Sequence, residues 1–164
     1  MASPKIEYIN PFINSTIESF KTMVFTDCQR VGLFVKEPTK RMKGGDITVM
    51  LSIFGTLKGV VALSFPRKLT IQLVSSMMMD DNIDDFDDQV IDGIGEIGNL
   101  VIGTAKSKII SSFGGTANIS IPTIISGAEH SIHHHAKIPC VGCVFATEGG
   151  KFTLEVALTT EETN

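Results

Sequence analysis

Residues 87–115 read DDQVIDGIGEIGNLVIGTAKSKIISSFGG, and the arrangement of the chain follows from them. Placed at 100° per residue, Ile91, Ile94, Gly98, Val101, Ile102, Ala105 and Ile109 gather on one side. The spacing predicts a helix from about Asp87 to Phe113 that packs on a sheet through that side and stops at Gly114-Gly115. Asp92, Glu96, Asn99 and Gly103 fall on the opposite side, within about 60° of one another on the same wheel, so Glu96 and Asn99 are outward-pointing neighbours. Gly93, Gly95, Gly98 and Gly103 each cost about 1 kcal/mol relative to Ala in a helix interior. That cost points to close approach of another backbone. Gly98 would admit the sheet or a facing helix, and Gly103 would leave a flat place for a partner.

Working outward, Asn10-Pro11 reads as a helix start, with Asn as cap and Pro at the first helical position. Ile13, Ile17, Phe20 and Val24 then repeat at helical spacing, leaving Asn14, Glu18 and Lys21 on the wet side. Between Arg30 and Phe65 the pattern turns to β-rich runs, RVGLFV, ITVMLSIFG and KGVVALSF. Pro38 and Gly44-Gly45 break the first run from the second, and Gly55-Thr56 forms a hairpin turn. After Pro66 a shorter helix carries Leu69, Leu73, Val74 and Met77; the run Met77-Met78-Met79 reads as core filler. Strands follow the long helix around ISIPTII, IPCVGCVFAT and KFTLEVALT, the last two joined through Gly149-Gly150. The expected fold is α/β (α+β), a single mainly antiparallel sheet packed by two long helices and one shorter one, with residues 1–164 forming a single domain.

Composition narrows the function. Hydrophobic residues make up 43% of the 164-residue chain and charged residues 20%, which is ordinary for a globular protein. With 14 basic against 18 acidic side chains and a net charge of -4, the surface lacks the positive excess of a nucleic-acid binder. No stretch reaches the roughly 18 uninterrupted apolar residues of a membrane span, and MASPKIEYIN lacks the features of an export signal. A cytoplasmic protein with neither nucleic acid nor membrane as partner is expected. Three cysteines in such a chain point to reduced thiols.

Glu-x-x-Asn occurs at Glu7–Asn10, Glu96–Asn99 and Glu161–Asn164, so the bare pattern has little specificity. Context separates them. Glu7 precedes its helix and Glu161 lies in a polar tail, whereas Glu96 and Asn99 sit mid-helix on one outward face. The helix EIGNLVIGTAKSKI, preceded by Asp92, resembles the signature helix of the CheX and CheC family of chemotaxis phosphatases. YINPFINSTIESF, PRKLTIQLVSSMM and IPTIISGAEHSI also resemble CheX members, so the likeness covers nearly the whole chain. CheC-type members resemble two such helices in one chain. Here the first helix has Asn14 and Glu18 in the wrong order and spacing, which favours the CheX type.

The resemblance implies a substrate: the aspartyl phosphate of a phosphorylated CheY-like receiver domain, whose own Mg²⁺ and lysine surround the phosphoryl group. No cofactor of the chain's own is implied. What the receiver lacks is an oriented water, and phosphoryl transfer depends mainly on positioning and electrostatics. Asn99 suits that task because its amide offers an acceptor and two donors without charge, where a carboxylate would be repelled by the phosphoryl oxygens. Glu96, one turn back, meets the receiver's lysine as an ion pair; Asp92 and Gly103 extend the partner-binding face. The alternative is a receiver-binding or flagellar scaffold that uses the same stripe without hydrolysis. CheX-type proteins also pair through their sheets, so a homodimer is expected, with FTLEVAL as the edge strand that pairs.

Two rival constellations carry less. His130, His133, His134, His135, Cys140 and Cys143 in HSIHHHAKIPCVGC are possible zinc ligands, but in a strand Cys140 and Cys143 point to opposite faces and cannot share one ion. The segment reads as a polar His loop leading into a half-buried strand, with no bound metal. Asp80, Asp81, Asn82 and Asp84 suggest a calcium loop, yet Asp85 and Ile91 occupy the positions that need Gly and Glu. The aspartates of DDNIDDFDD read instead as favourable charges before a helix N-terminus.

Overall fold

The computed structural model describes residues 6–36, 42–43, 45–128, 130–134 and 138–160. Pro38, Gly44, His135, Glu161 and Asn164, each given a role above, lie outside that range. Three α-helices are present: α1 (Ile9–Thr22), α2 (Arg67–Met78) and α3 (Asp88–Phe113). Seven strands form the main sheet: β1 (Gln29–Lys36), β3 (Ile47–Gly55), β4 (Leu57–Phe65), β5 (Ala117–Ile119), β6 (Thr123–Ser126), β8 (Cys140–Thr147) and β9 (Gly150–Thr160). A minor pair, β2 (Met42–Lys43) with β7 (Ser131–Ile132), stands apart. Every pairing among these strands is antiparallel, and the main order is β1-β8-β9-β4-β3-β5, with β6 also on β3.

Alternation sorts the sheet into two faces. Val49, Leu51, Val61, Leu63, Cys143, Phe145, Phe152 and Leu154 enter one core with residues from all three helices. At its centre Phe20, Phe65 and Phe145 stack on Phe152 with ring centroids 4.8–5.1 Å apart, a packing geometry that adds to the area these rings bury. Helix α3 is buried on a wide arc that takes in Val90 and Ile97 beside the expected positions, because α1, α2 and β3 all pack against it, whereas Ile91, expected on that side, is only half-buried. The glycines explain how. A Cβ on Gly93 would stand 2.5 Å from Cγ1 of Val74 in α2, and one on Gly98 would stand 2.7 Å from Cγ1 of Val49 in β3. What approaches the helix is side chains of its neighbours, not the backbone that the sequence reading expected.

Several local expectations need correcting. Helix α1 begins one residue before Asn10: a 3-10 turn over Ile6–Tyr8 winds directly into it, so Tyr8, not Asn10, holds the cap position, and its side chain does not cap the helix. Pro11 remains tolerable there because the first four helical N–H groups have no intrahelical partner. ISIPTII is not one strand, since β5 ends at Ile119 and β6 starts at Thr123. Of the three methionines only Met77 packs on the core; Met78 and Met79 are exposed, and Met79 closes α2 in a left-handed conformation. FTLEVAL lies in β9, between β8 and β4, so it cannot be an edge. Among the described residues one edge is β1, which pairs with β8 alone, and the other is formed by β5 and β6 beside β3.

Candidate functional site

The stripe of interest is built by the N-terminal half of α3. Asp87 caps the helix, its Oδ1 accepting from the Val90 backbone N–H at 3.0 Å. Asp80 and Asp85 serve the preceding loop in the same way: Asp80 accepts from Asn82 and Asp85 from Phe86. The acidic run therefore works on local backbone donors and helix charge.

From that start α3 presents Asp92 and Glu96 to solvent, with Asn99 and Gly103 half-buried beside them. The half-burial has a source. A Cβ on Gly95 would stand 3.2 Å from Ile124 Cδ1 and 3.4 Å from Pro122 Cγ, and one on Gly103 would stand 3.9 Å from Ile119 Cδ1. The chain from Ile119 to Ile124 therefore runs alongside α3, with Asn99 four residues from each of these two glycines. Gly103 meets nothing else within that range, in keeping with an open place on the helix. Among the described residues, no hydrogen bond or ion pair engages the side chain of Glu96 or Asn99. A carboxylate and a neutral amide, one helical turn apart and uncommitted within the chain, face outward together. They can pair with a cation and hold a water on another molecule.

The rival constellation is drawn elsewhere. His130 bridges Gly127 O at 2.7 Å and Thr48 Oγ1 at 2.6 Å, and Thr48 in turn meets Ser64 Oγ at 2.8 Å. Since a carbonyl only accepts, Nδ1 donates to Gly127. His133 Nε2 lies 3.2 Å from Ser131 Oγ. Cys143 joins the core while Cys140 lies on the opposite face, which excludes a shared ion as the alternation implied.

The loop is not merely polar, however, because it closes over a charged group that sequence reading missed. Glu155, buried on the second face of the sheet, accepts through Oε2 from Lys36 Nζ at 2.9 Å and from His134 Nε2 at 2.7 Å. Lys36 Nζ also donates to Ile132 O at 2.7 Å. Burial pushes the Glu155 carboxyl up, but the hydrogen bonds from His134 and Lys36 and the ammonium charge outweigh it and hold it below its ordinary value. His134, Cys140 and Glu155 bring three possible ligand atoms within 4.8 Å of one another. The ammonium of Lys36 already neutralises the carboxylate they would offer an ion. Burial first, and Glu155 second, push the Cys140 thiol up to about 12, and burial pushes Cys143 up to about 11. Protonated thiols in a strand are poor nucleophiles and poor ligands. The only signals for this cluster in the sequence are a lone charge inside FTLEVAL and another ending RVGLFVK, at positions that alternation places on the sheet's second face.

Comparison with known proteins places the chain among relatives. Residues 47–146 match the family model described as chemotaxis phosphatase CheX. The CheY-P phosphatase CheX of Thermotoga maritima is 28% identical over 86 residues, a stretch spanning 52% of this chain and 55% of that protein. A chemotaxis protein CheX from Desulfovibrio desulfuricans has a similar structure, with TM-score 0.83 and 29% identity over 95% of this chain and all of that one. A chain from the CheX–CheY–BeF3–Mg²⁺ complex of Borrelia burgdorferi shares the fold, with TM-score 0.78 and 20% identity, covering 94% of this chain and 99% of that one.

Proposed function

The chain belongs to the CheX family of chemotaxis phosphatases, and from that premise we propose that it hydrolyses the aspartyl phosphate of a CheY-like receiver domain. The observation that carries this reading is the uncommitted Glu96–Asn99 pair on the outward side of α3. The relative from Thermotoga maritima is a CheY-P phosphatase, and the Borrelia burgdorferi complex holds a CheX with CheY, BeF3 and Mg²⁺, beryllofluoride standing in for a phosphoryl group.

In the proposed mechanism α3 docks against the receiver's phosphorylation site. Glu96 pairs with the receiver's lysine and fixes the register. The Asn99 amide then accepts a hydrogen bond from a water and holds it in line with the phosphorus. The receiver brings its own Mg²⁺, and the chain adds no nucleophile and no metal. Asp92, one turn before Glu96, and the open surface at Gly103 flank the contact. The anchor gives an ordered series. With a CheY-like receiver carrying Mg²⁺ and beryllofluoride, Glu96→Ala is expected to weaken binding about tenfold, and Glu96→Lys about a hundredfold through like-charge repulsion. Equal dissociation constants for the three proteins in a titration would remove Glu96 from the interface.

Two copies of the chain are proposed to associate through β1. Its exposed edge carries Val31, Leu33 and Val35 at 49%, 51% and 67% exposure, with no proline to block pairing. Leu33 lies opposite Cys143 and Val35 opposite Val141, so both extend the helix-covered face past the reach of the helices. A second β1 would pair the open backbone and cover these side chains. Light scattering is expected to give about twice the 17.7 kDa chain mass, falling to the single-chain value when Leu33 and Val35 are both changed to Lys. A wild-type mass of one chain at micromolar protein contradicts the pairing. Each copy keeps its own α3 stripe, so one receiver binds per chain.

A further inference from the structure

Ile121 is the most exposed large apolar side chain among the described residues, at 85%. A scattered surface isoleucine is ordinary, but the backbone that carries this one is not. Ile119 pairs with Ile53 and Thr123 with Met50 on the same strand, β3. Four steps of chain on one side therefore answer three on the other, and the extra residue makes a bulge. Such bulges re-aim a side chain and cluster beside active sites.

This bulge is held from both ends. Ser120 N–H donates to Ser52 O at 2.9 Å, and Ser52 N–H donates to Ser120 Oγ at 3.0 Å. The same hydroxyl donates to Ile121 O at 2.9 Å. Pro122 fixes the next residue and lies against the Gly95 position of α3. Ile121 is thus presented on a short, fastened segment. Because Ile119 borders Gly103 and Pro122 borders Gly95, that segment passes the helix at the level of Asn99.

Resting on the reading of the α3 stripe as the receiver site, we infer that Ile121 is a second receiver contact: an aliphatic knob that docks into an apolar depression beside the receiver's phosphorylation site. It sets the distance of closest approach beside the Glu96–Asn99 pair. A knob carried on backbone fastened before binding loses little backbone freedom on contact, and an apolar anchor complements an anchor that is charged. The fold itself gains nothing from leaving this side chain in water.

The test uses the full chain and a CheY-like receiver domain loaded with Mg²⁺ and beryllofluoride. Ile121→Ala is expected to raise the dissociation constant about tenfold and Ile121→Asp about a hundredfold, while Ile121→Met stays near wild type. With the phosphorylated receiver as substrate, KM rises in step and kcat stays within about twofold. Melting temperatures should not move, since the side chain touches little. Dissociation constants within twofold of wild type for both Ile121→Ala and Ile121→Asp would overturn the inference, even if Asn99→Ala abolishes turnover. A wild type that binds the receiver without hydrolysing it sinks the catalytic reading alone, and the Ile121 series still decides the contact. A wild type that binds no receiver overturns both.

Discussion

Replacing Lys36 by alanine is expected to destabilise the folded chain by about 3–5 kcal/mol, the cost of leaving a buried carboxylate without its cation. Lys36 and Glu155 are both about 95% buried, and their contact joins β1 to β9 across the second face of the sheet. Changing both together, Lys36→Met with Glu155→Leu, should recover most of that loss because no charge then stays unpaired. Chemical denaturation of the three proteins measures it, and a Lys36→Ala loss under 1 kcal/mol would show that the pair is solvated. The sign of the pH dependence follows from the lowered Glu155 carboxyl. A carboxyl lowered by folding contributes stability that is present above its unfolded value of about 4.3 and is lost as pH falls through the folded value. Wild-type stability should therefore fall on acidification below about pH 5, more steeply than that of the doubly neutralised protein.

Replacing Asn99 by alanine is expected to lower the catalysed rate by on the order of 100-fold or more, comparable to losing one positioned hydrogen-bonding group in other active sites. Asn99 makes no hydrogen bond within the described chain and is only half-buried. Truncation thus leaves no orphaned partner, and neither the fold nor the melting temperature should change. Receiver binding should stay within about threefold, since the anchors proposed at Glu96 and Ile121 remain. Asn99→Asp separates charge from shape: it can still accept from a water but repels the phosphoryl oxygens, and it should be nearly as inactive as Asn99→Ala.

The long helix was legible because its signal is redundant. Seven apolar or small positions from Ile91 to Ile109 repeat at helical spacing, and Gly114 ends the helix where expected. The outward direction of Glu96 follows from the same period. Position in the sheet was not legible. FTLEVAL alternates as any strand does, and nothing in its own residues says that β8 and β4 flank it. Its single charge, Glu155, carries no mark of burial in its own neighbourhood, although a partner 119 positions away neutralises it in the interior. Local pattern reports period and turn chemistry, whereas strand order and buried pairs depend on distant segments. The bulge at Ser120–Pro122 was hidden for the same reason: it exists only relative to the register of β3.

The central claim is that α3 supplies a water-positioning amide to a phosphorylated receiver, and the lifetime of that phosphoryl group tests it most directly. A CheY-like receiver domain is phosphorylated with Mg²⁺ present, excess donor is removed, and phosphate release is followed for the receiver alone, with the wild-type chain, and with Asn99→Ala. The predicted result is rapid release with the wild type and the receiver's own slow decay with Asn99→Ala, although both bind the beryllofluoride-loaded receiver alike. A lifetime that the wild-type chain leaves unchanged despite binding, or one that Asn99→Ala shortens as much as the wild type does, would contradict the account.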